Sequence, residues 1–171
     1  MFDIRIYGDP ILRKTAVPVT SFDDTLKRFV EEMILTMREK DGVGLAANQV
    51  GKAIRVVVID PTAGEKDPYV LINPELTYLS GETDDDEEGC LSVPTIRLKV
   101  NRSKVVSAKA FDANGKEVVI EKAEGIFARA LQHELDHLNG ILFVDRVSLL
   151  QRRLVGGKLK KLAKSGDEKH S

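Results

Sequence analysis

Hydrophobic residues recur three and four apart at Leu26, Phe29, Val30, Met33, Ile34 and Met37, which predicts an amphipathic helix with one core-facing side. Ser21 is placed to cap it and Asp41-Gly42 to stop it. The pattern then changes. Arg55 to Asp60 (RVVVID) and Tyr69 to Leu79 (YVLINPELTYL) are rich in strand formers and are punctuated by Pro61, Gly64, Pro68 and Pro74, so short strands broken by turns are expected. Lys104 to Ala113 and Lys116 to Ala123 flank Asn114-Gly115, a pair suited to the positive φ angles of a two-residue hairpin turn. Helical spacing returns from Glu124 to Asn139, with Gly140 as its terminator. A last helix is expected over 148–164, weakened by Gly156-Gly157, with 165–171 as a polar tail. No internal repeat or linker interrupts residues 1–171. The expectation is a single compact α+β domain with short, mostly antiparallel strands around a central helix.

Composition narrows the classes. The 171 residues, 42% hydrophobic and 31% charged, suit one domain with a real core. A net charge of −1 gives no field to draw in DNA or an anionic membrane. Tryptophan is absent and aromatics make up 5%, against a stacking platform for single-stranded nucleic acid. One cysteine, Cys90, allows no internal disulfide, and MFDIRIYGDP lacks the layout of a secretory signal. A cytoplasmic setting fits, and no apolar run is long enough to cross a bilayer.

The chemistry concentrates in the helix after Glu124. His133-Glu134-Leu135-Asp136-His137 is an HExxH motif, whose two imidazoles lie about 40° apart around the axis and share one face. They can grip one metal ion, while Glu134 can reach a water on it as a general base. Histidines that merely satisfy hydrogen bonds in a core are the plainer reading. Yet Leu131, Leu135 and Leu138 cover another side of the helix, and two buried imidazoles call for a reason that a metal supplies.

A catalytic ion needs a third protein ligand and an open position. One group of metalloproteases places a glycine three residues and a histidine six residues after the second histidine; here those positions hold Gly140 and Phe143. Another takes a glutamate from a later helix, but after His137 the acids are Asp145, Asp167 and Glu168, the first too close and the others in the polar tail. Cys90 is the remaining candidate, since a dication favours its thiolate. A lone cysteine is more often a small buried hydrophobe.

Three segments in order, Gly42 to Gln49 (GVGLAANQ), Glu88 to Ser92 (EGCLS) and Gln132 to Gly140 (QHELDHLNG), together resemble the peptide deformylase family, over nearly the whole chain. The resemblance implies a hydrolase that removes the formyl group from N-formylmethionyl peptides and nascent chains, within protein biosynthesis. It implies that Cys90, His133 and His137 hold one divalent ion, with Fe2+ as the native metal and Zn2+, Ni2+ or Co2+ as substitutes that the same donors accept. Glu134 would take the proton of the attacking water and pass it to the departing amine. The Gln49 amide and the Leu91 NH would stabilise the formyl oxygen. Gly44 and Gly89 would lie along the extended substrate, with Arg97 nearby, and Val43 and Ala130 would form the methionine pocket with Leu91. Arg129 departs from the wholly apolar pattern of some family members. Its direction, to solvent or to the pocket rim, stays open.

Two charge blocks remain. Residues Glu82 to Glu88 include six acids, expected as a solvated loop apart from Glu88. Arg146, Arg152, Arg153, Lys158, Lys160, Lys161 and Lys164 form a basic C-terminal stretch, which could contact ribosomal RNA or simply be a charged surface helix. The competing functions are a zinc peptidase and a non-enzymatic metal-binding module, and the latter has no use for Glu134 or Gln49.

Overall fold

The computed structural model describes residues 1–170. Helix α1 (Asp24–Glu39) precedes strands β1 (Gly44–Ala46), β2 (Val56–Ile59), β3 (Tyr69–Leu79), β4 (Thr83–Cys90), β5 (Val93–Ser103), β6 (Val106–Phe111) and β7 (Glu117–Ala123). Helices α2 (Gly125–Leu138), α3 (Leu149–Leu154) and α4 (Gly156–His170) follow. The expected α+β class is borne out, with antiparallel pairing throughout the sheets.

One five-stranded sheet has the order β1-β2-β3-β6-β7. Val56, Val57, Val58 and Ile59 of β2 are all fully buried, as a continuous apolar run requires when both faces of a strand are covered. Val56 and Val58 pack with Leu26, Val30, Met33 and Met37 of α1. Val57 and Ile59 pack with Leu131, Leu135 and Leu138 of α2 on the other face. Strands β4 and β5 form a separate two-stranded ribbon, whose Val93, Ile96 and Val100 join Leu12, Phe143 and Leu159 in a third cluster. Helix α2 therefore lies between sheet and ribbon.

Several expectations change. Asp23, not Ser21, caps α1, its carboxylate accepting from Leu26 N at 2.9 Å. Pro74 does not break β3: the strand runs on through a bulge between Ile72 and Glu75, where Asn73 takes φ 52° and Pro has no ladder bond to lose. The β6–β7 connection is a three-residue loop, not a two-residue turn. Asp112 N donates to Lys116 O at 2.8 Å, and Gly115 alone of the Asn114-Gly115 pair has positive φ. The acidic stretch is the largest correction, because Thr83–Cys90 is strand and not loop. It is matched by a basic partner, with Glu87 opposite Lys99 and Asp84 opposite Arg102.

The C-terminal helix is interrupted at Val155, just before Gly156-Gly157, and then continues to His170 through 165–170 of the expected polar tail, whose last position, 171, lies outside the described residues. Gly166 lies directly against the backbone of Ile6 and Tyr7, and Ala163 against Gly8. Among the described residues, no helix is long and apolar enough to cross a membrane.

Candidate active site and metal centre

The HExxH residues occupy the C-terminal part of α2, where burial of the leucine side forces the other side toward the ribbon. His137 is fully buried and His133 and Glu134 nearly so. Cys90 closes β4, at a register shift after Glu88 that turns its side chain toward the helix. The donor atoms of Cys90, His133 and His137 all lie within 4.8 Å of one another. Cys90 Sγ is 3.4 Å from His137 Nε2, and the two Nε2 atoms are 3.3 Å apart. Tetrahedral ligands at about 2.0–2.3 Å from an ion stand roughly 3.3–3.7 Å from each other, so the two spacings about His137 are those of neighbouring ligands on one ion. Two imidazole nitrogens and a thiolate suit a first-row transition metal.

The orientation of His133 is fixed from behind. Its Nδ1 donates to Glu88 Oε1 at 2.8 Å, which leaves the Nε2 lone pair facing the other two donors. Glu88 also receives two bonds from Arg102, at 2.9 and 3.0 Å, and one from Arg129 at 2.7 Å. Burial alone would raise the Glu88 carboxyl, but the hydrogen bonds from His133 and Arg102 outweigh it and bring the pKa down to about 2. Arg102 continues to Asp136 at 2.7 Å, and Asp136 to Arg146 at 2.8 Å. Phe143, which stands where the protease pattern has its third histidine, stacks on the His133 ring at 25° between planes.

Glu134 has the opposite environment. Burial pushes its carboxyl up to about 7, against the pull of His133, and its Oε2 has no hydrogen-bond partner among the described residues. An orphaned carboxylate oxygen beside three metal-type donors is placed to accept a proton. Gly44 makes room for it: a Cβ there would come within 2.7 Å of Glu134 Oε1. The glycine thus seats the carboxylate as well as leaving the strand edge open.

The short turn Ala47–Val50 after β1 presents Gln49 to the same point. Its Oε1 accepts from Ala46 N at 3.0 Å, and its Nε2 donates to Ser92 Oγ at 3.1 Å and Cys90 Sγ at 3.4 Å. The amide is held by its oxygen and aims its donors at the donor cluster.

Val43, Gly44, Gln49, Gly89, Cys90, Leu91, Arg97, Ala130, His133 and Glu134 all line one cavity of about 520 Å3, with His137 buried beneath it. Arg97 is 62% exposed on the rim, 3.7 Å from Glu87, and its guanidinium passes over Gly89, where a Cβ would meet it at 2.8 Å. Of the two directions open to Arg129, the structure takes the pocket rim, and sequence reasoning missed the parts played by Ser92, Ile126 and Arg102. Ser92 lies inside the EGCLS segment and was within reach of that pattern, whereas Arg102 carries no local signal.

Comparison with known proteins gives the family. The family model described as polypeptide deformylase matches residues 1–153. A peptide deformylase of Thermotoga maritima is 48% identical over 165 residues, covering 96% of this chain and 98% of the relative. The solved peptide deformylase of Plasmodium falciparum superposes with a TM-score of 0.92 at 38% identity, over 99% of both chains. That of Synechococcus elongatus, solved in complex with actinonin, gives 0.87 at 40% identity over 92% of this chain and 87% of that one. The chain belongs to the peptide deformylase family, hydrolases that remove the N-formyl group from N-formylmethionyl peptides.

Proposed function

We propose that deformylation here is carried out by Glu134, Gln49 and Leu91 around a ferrous ion held by Cys90, His133 and His137. The observation that carries this reading is the convergence of those three donors beside a buried glutamate with an unpartnered oxygen. When bound, the divalent ion supplies Lewis acidity that acidifies water and polarises a carbonyl. Glu134 takes the proton of the water that attacks the formyl carbon and then delivers it to the departing amine. The Gln49 Nε2 amide and the Leu91 NH donate to the formyl oxygen as negative charge grows on it. Gly44 and Gly89 flank an extended peptide, Arg97 lies along it, and Val43 and Ala130 receive the methionine side chain.

Anaerobic release of formate from formyl-Met-Ala-Ser tests the reading: ferrous protein turns over rapidly, and timed exposure to oxygen then abolishes activity as the iron or Cys90 is oxidised. Activity undiminished in air removes ferrous iron from the proposal. No release from protein with verified bound metal removes the catalytic assignment.

The substrate, a newly made chain, places the work in the cytoplasm, and we extend the proposal to the ribosome. Arg146 and Arg152 are taken up by Asp136 and Asp145, whereas Arg153, Lys158, Lys160, Lys161 and Lys164 are exposed. Among the residues whose side chains are described, these five are the exposed basic groups of α3 and α4 that would meet phosphate. Removing the helix would also remove Leu159, which is 4% exposed in the third core cluster, so charge is the better variable. Glu at Lys160, Lys161 and Lys164 should abolish salt-sensitive sedimentation with ribosomes while hydrolysis of a short formyl peptide stays within about twofold of the parent. Unchanged ribosome affinity eliminates this contact.

A further inference from the structure

Beside the main cavity lies a second, of about 220 Å3, lined by Asp84, Asp86, Ser103 and Lys104. Glu87, Ile126 and Arg129 belong to the walls of both. Arg129 is the anchored member of that shared wall. Its Nη1 donates to Glu88 Oε2 at 2.7 Å and Val100 O at 2.8 Å, and its Nη2 to Asp84 Oδ1 at 2.9 Å and Asp84 O at 3.3 Å. Its side chain is 13% exposed. A planar guanidinium held at both ends of its fork is a positive charge that cannot swing aside.

We propose that Arg129 determines specificity in the first side-chain pocket, walling it off from the second cavity and, as an immobile cation, turning away substrates whose first side chain is positively charged. This rests on the reading that the methionine side chain enters the main cavity beside Val43 and Ala130. A thioether passes a guanidinium at little cost, whereas an ammonium must shed water and face a like charge. In the intact protein Asp84 and Glu88 cannot attract that ammonium, because Arg129 already occupies them. Without the guanidinium, Asp84 and Glu88 each lose a cationic partner at the shared wall and Glu87 faces the pocket with one cation fewer, so the discrimination against an ammonium weakens.

The test is competition between formyl-lysyl-Ala-Ser and formyl-norleucyl-Ala-Ser in one reaction. Their ratio of kcat/KM does not depend on how much enzyme is folded or metal-loaded, so a merely structural role would not move it. Arg129→Ala should raise the lysyl-to-norleucyl ratio by about tenfold or more. Arg129→Gln, which keeps a donor for Glu88 but no charge, should move it the same way, and Arg129→Lys should keep it near the parent value. A ratio unchanged in the two neutral variants, with both substrates slowed in step, overturns the proposal and leaves Arg129 as a brace for Glu88. Val43→Phe addresses the underlying reading separately: if KM for the norleucyl peptide does not rise, the side chain lies elsewhere and the proposal falls with it.

Discussion

Glu134→Gln should retain a full complement of metal and lose on the order of 10³-fold in kcat. The substitution preserves shape in a site that is 4% exposed and removes only the ability to carry a proton. Because neither Glu134 oxygen is needed as a metal ligand, metal content by atomic absorption should match the parent, and KM for formyl-Met-Ala-Ser should change little. The parent should also show an acid limb in kcat/KM, since the base works only when ionised and burial holds it near 7. A bound dication favours the carboxylate, so the midpoint should fall below 7. The limb should vanish in Glu134→Gln. A variant within tenfold of the parent, or one that loses its metal, would remove Glu134 from the role of base.

Glu88→Gln should produce the larger loss of stability, about 3–5 kcal/mol, because it leaves Arg102 with a buried and half-compensated charge. Arg102 is 6% exposed and retains only Asp136. Metal affinity should drop about 10–100-fold as His133 loses the carboxylate that fixes its ring. The pH dependence gives a separate signature. A carboxyl with an ordinary pKa of 4.5 and a folded value of about 2 contributes stability that is complete above 4.5 and is lost as pH falls toward 2. Melting temperatures of the parent should therefore decline across that interval, and those of Glu88→Gln should lack this component. Equal slopes in the two proteins would show that Glu88 is not the titrating clamp.

Much of the site was legible because its chemistry is carried by rare residue types at fixed spacing. His133, Glu134 and His137 share a helix, so one periodicity locates all three, and the GVGLAANQ and EGCLS segments bring in Gln49 and Cys90. What stayed hidden depends on pairing between distant segments. Residues Glu82 to Glu88 read as a solvated loop because acids disfavour strands in isolation, and of that reading the exposure of 82–87 holds while the loop does not. Set in strand register against Lys99 and Arg102 of β5, however, the same stretch stands opposite cations, and Glu87 and Glu88 pair with Arg97 and Arg102 of that strand. Once that ribbon forms, Arg129 has Asp84 and Glu88 within reach and turns inward. The start of α1 was displaced by a local effect instead, Asp23 offering a better cap than Ser21.

The packing of α4 on the N-terminal segment bears on the order in which the chain can fold during its own synthesis. Tyr7 and Gly8 touch Gly166 and Ala163, and Leu12 shares a cluster with Leu159. Contacts of such long sequence separation form only after both partners exist. Tyr7, Gly8 and Leu12 leave the ribosome long before Leu159, Ala163 and Gly166, and are thus among the last residues to reach their native surroundings. Until then Leu12 and the ribbon valines lack one wall, and a half-made chain depends on being shielded from its neighbours.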